Sequence, residues 1–285
     1  MSRIVYVNGE FLPEEDAKIS IFDRGFLFAD GVYEVSTVLQ GKLVDNEAHL
    51  VRLQRSLNEL SMTAPCSMKE IEEIQHELLK RNDIKAGSLY LQITRGSEGD
   101  RSFLFPKNAK PSLIMFTQAR GAHSEETAEK GISVITQPDI RWQRRDIKTV
   151  GLLPASMAKQ AAIDAGVDDA WMVEDGYVTE GSSNNAHIIT KDGVLVTRPL
   201  SNKILHGITR KAVLALADEA GLKVEERLFT PQEASEAAEA FITSASTFVT
   251  PVVAIDGAPV GDGVPGKHAK RLRELYVEFA IKSLS

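Results

Sequence analysis

The chain has 285 residues, of which 43% are hydrophobic and 26% are charged, and its formal net charge is −7. This composition is typical of a globular protein with a substantial core, and the scattered basic residues argue against nucleic acid as a partner. No run approaches the roughly 18 apolar residues of a membrane span, and the first residues lack the apolar segment of a signal peptide. A membrane protein and a secreted protein are therefore not expected.

The cysteine and histidine content supports the same interpretation. Cys66 is the single cysteine, so no intrachain disulfide can form and a cytoplasmic location is expected. The six histidines show no spacing that is typical of metal ligands, and His49 is interpreted as a structural histidine. No metal site is predicted.

The pattern of the first 120 residues predicts an α+β domain. Strands are predicted at RIVYVNG, EFLP and GVYEVSTVLQ, and the last of them turns at Gly41–Lys42 into KLVD. Leucines three and four residues apart predict a helix over 47–60, and a second helix is predicted over 68–81, with Ser67 and Glu70 as a capping box. The segments SLYLQITRG and PSLIMFTQA are predicted to be strands.

A polar stretch, ARGAHSEETAEKG at 119–131, is interpreted as a connector. We accordingly expect an N-terminal domain over 1–120, a connector over 121–131 and a C-terminal domain over 132–285. The elements predicted in the C-terminal domain are, in order, the strand ISVITQP, the helix SMAKQAAIDAG, the strands DAWMV, YVTEG, AHIIT and VLVT, a helix over 208–220, the strands KVEER, AFITS and TPVVAID, and a helix over 267–282.

Several stretches carry residues that could act chemically. In RRDIKTV, Lys148 is interpreted either as a solvated loop charge or as a half-buried nucleophile toward a carbonyl. In VTEGSSNN, Glu180 is either a surface glutamate or a buried carboxylate that needs a cationic partner. HGITR places Ile208 and Thr209 at a helix start, which is either a plain N-terminus or a phosphate site. TSAST at 243–247 is either an ordinary loop or a second phosphate cradle.

A lysine, a carboxylate, an arginine and small-residue phosphate cradles together match the requirements of pyridoxal 5′-phosphate. A dinucleotide site is a weaker interpretation. GDGVPG at 261–266 has the G-x-G-x-x-G spacing, but too little sequence follows it for the required strand and acidic residue, and Pro265 favours a turn.

These and neighbouring segments resemble the fold-type IV pyridoxal-phosphate enzymes, and most of all the D-amino-acid aminotransferases. The segments that carry the resemblance, in the right order over nearly the whole chain, are FDRGFLFADGVYE, HLVRL, LQITRG, RDIKTVGLLPASMAKQ, VTEGSSNN, HGITR and FITSASTFVTP. The resemblance implies an α+β protein with a smaller α+β N-terminal domain and a larger pseudo-barrel C-terminal domain. It also implies a homodimer.

The resemblance implies roles for individual residues. Lys148 would form the Schiff base with the cofactor and carry the catalytic proton, and Glu180 would pair with the pyridine nitrogen. The other implied contacts are Arg52, Ile208, Thr209, Ser244 and the amide of Ala245 at the phosphate, Leu205 under the ring, and Tyr33 on the substrate side.

The substrate carboxylate site departs from the family pattern. Bacterial D-amino-acid aminotransferases carry an R-x-H pair shortly after the strand that ends in TRG, whereas this chain has TRGSEGDRSFLFP. Arg101 aligns with the arginine, but Phe103 stands where the histidine is expected. We expect Arg101 to hold the substrate carboxylate, with Arg24 as the alternative.

The expected function is transfer of an amino group from a D-amino acid to a 2-keto acid such as 2-oxoglutarate or pyruvate. The alternatives within the fold are a branched-chain L-amino-acid transaminase, an (R)-amine transaminase and an aminodeoxychorismate lyase. A non-enzymatic pyridoxal-phosphate-binding protein is a further alternative, against which the presence of Lys148, Glu180 and Arg52 argues.

Overall fold

The structure is a computed structural model that describes residues 2–119 and 125–285. Its contacts divide the chain into two compact units. The first unit takes the described residues within Met1–Ala122, together with Ile147–Gly151 and Ser283–Ser285. The second unit takes the described residues within His123–Asp146 and Leu152–Lys282.

The first unit is built on one antiparallel sheet. Its strands are β1 (Ile4–Val7), β2 (Glu10–Pro13), β3 (Gly31–Leu39), β4 (Lys42–Leu43), β5 (Ala86–Ser97) and β6 (Lys110–Gln118). They are arranged in the order β2-β1-β6-β5-β3-β4. Strand β3 pairs with β5 along its whole length, but with β4 only at Val38 and Leu39, so the first half of β3 has room for another partner on that side.

The helices of the first unit are α1 (Arg24–Phe28), α2 (Asn46–Glu59) and α3 (Met68–Arg81), and Glu14–Asp16 forms a short 3-10 helix. Leu53 and Leu57 of α2 and Leu78 of α3 are fully buried in the core with residues from the sheet. Both predicted helices are confirmed, and both hydrogen bonds of the predicted capping box form. The short α1, which Asp23 caps by accepting from the Gly25 N–H, was not predicted.

The second unit contains a larger, mixed sheet. Its strands are β7 (Ile132–Pro138), β8 (Asp169–Glu174), β9 (Tyr177–Gly181), β10 (Asn185–Ile189), β11 (Val194–Thr197), β12 (Lys223–Glu226), β13 (Glu239–Ser244), β14 (Phe248–Ile255) and β15 (Ala258–Pro259). The order is β12-β11-β10-β13-β14-β7-β8-β9, and β15 pairs with β14. The sheet is curled into a half-barrel, and the Gly181 N–H donates to the Asn184 carbonyl across the β9–β10 connection.

The helices of the second unit are α4 (Glu125–Lys130), α5 (Leu153–Asp164), α6 (Ile208–Ala215), α7 (Pro231–Ser235) and α8 (Lys267–Lys282). Helix α6 ends earlier than the predicted 220, because bonds of three-residue spacing, such as Ala217 N–H to the Leu214 carbonyl and Gly221 N–H to the Asp218 carbonyl, interrupt the four-residue pattern from Ala217 on. Helix α4 lies within the stretch interpreted as a connector, of which residues 120–124 fall outside the described part of the chain. The segment GDGVPG forms turns, as predicted, with positive φ at Gly261 and Gly263.

Across residues 2–119 and 125–285, no helix combines the length and the apolar character that crossing a membrane requires.

Candidate active site

Lys148 lies in a short segment that continues the sheet of the first unit. The Tyr33 N–H donates to the Lys148 carbonyl at 3.0 Å, and the Val150 N–H donates to the Gly31 carbonyl at 3.1 Å. Thr149 forms a bridge with Val32, and Ile147 is buried in the core. The segment therefore occupies the part of β3 that β4 leaves open, and the lysine is fixed by main-chain bonds on both sides.

The Lys148 side chain is half-buried, and its Nζ lies 4.2 Å from the centroid of the Tyr33 ring. Tyr33 stacks on Tyr90, and Tyr90 stacks on Phe116, with centroids 5.6 and 4.7 Å apart. The aromatic row is a consequence of register, because Tyr33 pairs near Tyr90 on β5, and Tyr90 pairs directly with Phe116 on β6. The sequence-predicted pair Lys148 and Tyr33 is thus brought together.

Arg52 is held by a buried carboxylate. Its Nε and Nη2 donate to the two oxygens of Glu34 at 2.8 and 2.7 Å, and His49 Nδ1 lies 2.7 Å from Glu34 Oε2. Burial alone would raise the pKa of Glu34, but the charge of Arg52 and the bonds from Arg52 and His49 lower it to about 2. His49 is the structural histidine that was predicted, and its partner Glu34 was not recognised.

Arg24 and Arg101 lie at a loop between β5 and β6. Arg24 Nε donates to Asp30 at 2.7 Å, and its Nη1 donates to the carbonyls of Ser102 and Leu104 at 2.6 and 3.2 Å. Arg101 is exposed, and its guanidinium lies 4.9 Å from the centroids of both the Phe28 and the Phe103 rings. Arg24 therefore holds the main chain of the loop that presents Arg101.

Glu180 lies in the second unit, at the end of β9, and only 3% of it is exposed. Its Oε1 accepts from Arg141 Nη1 at 2.5 Å, and its Oε2 accepts from Asn185 Nδ2 at 2.8 Å and from the Leu205 N–H at 3.0 Å. Burial raises the pKa of the Glu180 carboxyl, and Arg141 and the Leu205 N–H oppose this rise without cancelling it. Of the two interpretations of Glu180, the buried carboxylate with a cationic partner is confirmed.

Asn185 links this carboxylate to the start of α6. Its Nδ2 also donates to the Leu205 carbonyl at 3.0 Å. Its Oδ1 lies against Gly207, where a Cβ would overlap it severely. Gly207 is the N-cap of α6 and provides no capping side chain, so the amides of Ile208 and Thr209 and the positive end of the helix dipole are available for an anion.

The loop Ser244–Thr247 lies beside the same point, because Asn185 pairs with Thr243 across β10 and β13. Ser244 Oγ is 2.8 Å from Thr247 Oγ1 and accepts from the Thr247 N–H at 3.1 Å. The sequence-predicted residues of the second unit are therefore brought together around Asn185. They are Glu180, Leu205, Ile208, Thr209, Ser244 and Ala245.

Several residues of the site were missed from the sequence. Asn185 lies in the VTEGSSNN segment that had been singled out, so a local signal existed for it. Arg141 is 39 positions away from Glu180, and no local pattern connects the two. Glu34 is an acid on the buried side of a strand, which is unusual enough to serve as a signal.

Comparisons with known proteins identify the family. Residues 31–255 match the profile of the amino-transferase class IV family. The D-alanine aminotransferase of Staphylococcus aureus (strain COL) is 37% identical over 276 residues, which are 96% of this chain and 97% of that protein. The D-alanine aminotransferase of Listeria monocytogenes serotype 4b (strain F2365) is 37% identical over 280 residues, 98% of this chain and 96% of that protein.

A solved structure of similar fold is the T.th. branched-chain amino acid aminotransferase with pyridoxamine 5′-phosphate. It has a TM-score of 0.91 and 28% sequence identity, and the match covers 100% of this chain and 98% of that chain. The half-barrel sheet, the family match over most of the chain and the near-full-length relatives lead to one conclusion. This protein belongs to the class IV aminotransferases and has their fold-type IV architecture.

Proposed function

We propose that this protein is a pyridoxal-phosphate-dependent transaminase that moves the amino group of a D-amino acid to a 2-keto acid, such as 2-oxoglutarate or pyruvate. The observation that carries the proposal is the buried carboxylate of Glu180, which shares Asn185 with the uncapped start of α6. A buried carboxylate stabilises a protonated pyridine nitrogen, and an uncapped helix start is a favourable site for a phosphate. The D-substrate class is supported by relatives named D-alanine aminotransferase.

The residues of the second unit fit the cofactor. Because Gly207 has no Cβ, Asn185 Oδ1 packs directly against the start of α6. Ile208, Thr209, Ser244 and the amide of Ala245 would hold the phosphate, and Arg52 is proposed as the cationic anchor. Leu205 would pack under the ring, since its N–H already donates to Glu180.

When bound, the cofactor supplies an electron sink for negative charge that develops at the substrate Cα. Lys148 would hold the cofactor covalently through Nζ, and the released amine would move the Cα proton as a general base and acid. Its main chain is fixed along β3 and its Nζ lies over the Tyr33 ring, so the lysine is positioned before the cofactor binds.

The substrate carboxylate would be held by Arg101. Phe103 offers no hydrogen bond, and Arg24 is engaged by Asp30 and by loop carbonyls. The guanidinium of Arg101, in contrast, lies over the rings of Phe28 and Phe103. If a single arginine binds the substrate carboxylate, we expect weaker discrimination between amino acids and amines than an arginine–histidine pair would provide.

A panel of amino donors tests the proposal. Paired D- and L-amino acids, an (R)-amine and aminodeoxychorismate are each supplied with 2-oxoglutarate or pyruvate, and keto-acid or ketone formation is followed. D-alanine and other D-amino acids should be turned over much faster than their L-forms. A preference for branched-chain L-donors, which the similar branched-chain fold would accommodate, or for the (R)-amine would contradict the D-specific proposal. Pyruvate release from aminodeoxychorismate without an acceptor would indicate the lyase.

We further propose that the enzyme is a cytoplasmic homodimer. A second copy would cover exposed apolar residues of the first unit, among them Phe26, Phe103 and Leu104, which are 76, 78 and 81% exposed. Such a concentration of large apolar side chains on a surface is typical of interaction sites.

A further inference from the structure

The cationic partner of Glu180 has an orientation that its neighbours enforce. Arg141 donates two parallel hydrogen bonds to Asp139, from Nε to Oδ1 at 3.0 Å and from Nη2 to Oδ2 at 2.7 Å. The third position of the fork, Nη1, donates to Glu180. The side chain of Arg141 is 14% exposed, that of Asp139 is 0% and that of Glu180 is 4%.

Asp139 is itself fixed. Thr179 Oγ1 donates to its Oδ2 at 2.6 Å, and Arg145 Nη1 lies 3.3 Å from the same oxygen. Arg145 is bound in turn by Glu174 at 2.9 Å. The guanidinium of Arg141 therefore cannot rotate away from Glu180 without breaking a buried bidentate pair, which is costly.

The two oxygens of Glu180 are used differently. Oε2 accepts from both Asn185 and the Leu205 N–H, which fills its acceptor positions. Oε1 accepts from Arg141 in the bonds that the structure shows, so it keeps a second position for another donor. A ring N–H would thus donate to the oxygen that Arg141 already touches.

We propose that Arg141 is a positioning residue that keeps Glu180 ionised, so that the proton shared between Glu180 and the cofactor ring stays on the ring nitrogen. The inference rests on the proposed function. A carboxylate buried without a cation would take that proton itself and leave a neutral ring, which is a poor electron sink. A hydrogen bond from a guanidinium makes the carboxylate a weaker base, in opposition to burial, which raises the pKa of Glu180. The charged groups that face Glu180 are Arg141 and, behind it, Asp139.

The proposal differs from a purely structural role, in which Arg141 only compensates a buried charge. Arg145 provides the matched control. Its side chain is more deeply buried than that of Arg141, with 1% against 14% exposed, and it binds the same Asp139 in the same ion-pair network. The Glu180 oxygens accept from Arg141, Asn185 and Leu205, so Arg145 has no direct bond to Glu180 among the bonds shown.

The experiment measures the ring-nitrogen NMR shift of isotope-labelled pyridoxal 5′-phosphate reconstituted into the wild-type protein, Arg141→Gln and Arg145→Gln at neutral pH. We expect a protonated ring in the wild-type protein and in Arg145→Gln. In Arg141→Gln we expect the resonance to move most of the way to the value of the unprotonated ring, with cofactor still bound through its phosphate. The rate of Cα proton exchange of a bound D-amino acid should fall roughly tenfold or more.

A resonance that stays protonated in Arg141→Gln overturns the proposal. An equal movement in Arg145→Gln also overturns it, because the effect would then belong to the whole network. Should Arg141→Gln fail to fold, Arg141→Lys replaces it. A single ammonium cannot grip Asp139 at two points and also reach Glu180, so a partial movement is expected, and an unmoved resonance overturns the proposal. A wild-type protein that binds no cofactor overturns the proposed function itself, which separates the two failures.

Discussion

Among single residues, Lys148 has the most direct test, because its side chain can be removed without loss of the bonds that position its main chain. The bonds that hold it beside β3 are main-chain bonds, so Lys148→Ala should fold normally and retain the cofactor through the residues that bind its phosphate. Transamination of D-alanine should fall by several orders of magnitude, since the nucleophile and the general base are lost together. The measurements are single-turnover rates and thermal unfolding, with the exposed Lys80→Ala as control. Near-normal turnover in Lys148→Ala would refute the assignment.

The role of Arg101 is tested by the KM for the amino donor, and not by the stability of the fold. Loss of a charge-assisted contact costs roughly 1.5–3 kcal/mol, so Arg101→Ala should raise the KM for D-alanine about tenfold or more. An (R)-amine without a carboxylate supplies the internal control, because its KM should not change. If the two donors respond alike, Arg101 affects the loop and not the carboxylate. If Arg24→Lys alone raises the KM for D-alanine, the carboxylate is held at Arg24.

The ion pair of Glu34 is expected to make the stability of the fold depend on pH in the acid range. Its folded-state pKa of about 2 lies below the ordinary glutamate value, so the stabilisation is fully present above that value and is lost as the pH falls towards 2. Glu34→Gln leaves Arg52 buried without its charge partner and should cost about 3 kcal/mol at neutral pH. Urea unfolding between pH 5 and about 2.5 measures both effects. The exposed Glu73→Gln should behave as wild type, and an unchanged acid profile in Glu34→Gln would contradict the assignment.

For single elements, the N-terminus of α6 is the most sensitive point. A Cβ at Gly207 overlaps Asn185 Oδ1, and Asn185 cannot yield because it is bound to Glu180 and to the Leu205 carbonyl. Gly207→Ala should therefore weaken cofactor binding by roughly tenfold or more. In an Asn185→Ala background the same change should cost much less, as a double-mutant cycle of cofactor dissociation constants would show. Additive effects would contradict the steric coupling.

The elements also show what a local pattern can predict. Helices α2 and α3 were predicted because their leucine spacing and capping box are local signals. Helix α1 has five residues, too few for a period, and α4 lies in a polar stretch. The pairing of the Lys148 segment with β3 could not be predicted from a local pattern either, because the bond between Tyr33 and Lys148 joins residues that are distant in sequence. Family resemblance assigned Lys148 and Glu180 a role, whereas only the fold shows that Arg141, Asn185 and Glu34 hold the residues assigned to the cofactor.

For the whole molecule, the proposed homodimer predicts a mass twice the 31.2 kDa of the chain. Leu104 is 81% exposed among aromatic neighbours, and a charge there would be buried without a partner in a dimer. Leu104→Glu should therefore shift the protein towards the monomer in light scattering after size exclusion. Val264→Glu, at an exposed turn of the second unit, is the matched control. A wild-type monomer would contradict the dimer, and an unchanged dimer in Leu104→Glu would exclude this surface.

The interleaving of the two units also has a consequence for biogenesis. Residues 147–151 join the first unit after part of the second unit has been synthesised, and Ser285 exchanges main-chain bonds with Leu43 only after all of the second unit has emerged from the ribosome. At ordinary rates of translation, the sheet that contains β3 waits on the order of 10 s for this closing contact. The Lys148 segment is thus added to a sheet that is completed only at the end of synthesis, so the first unit to be started is the last to be finished.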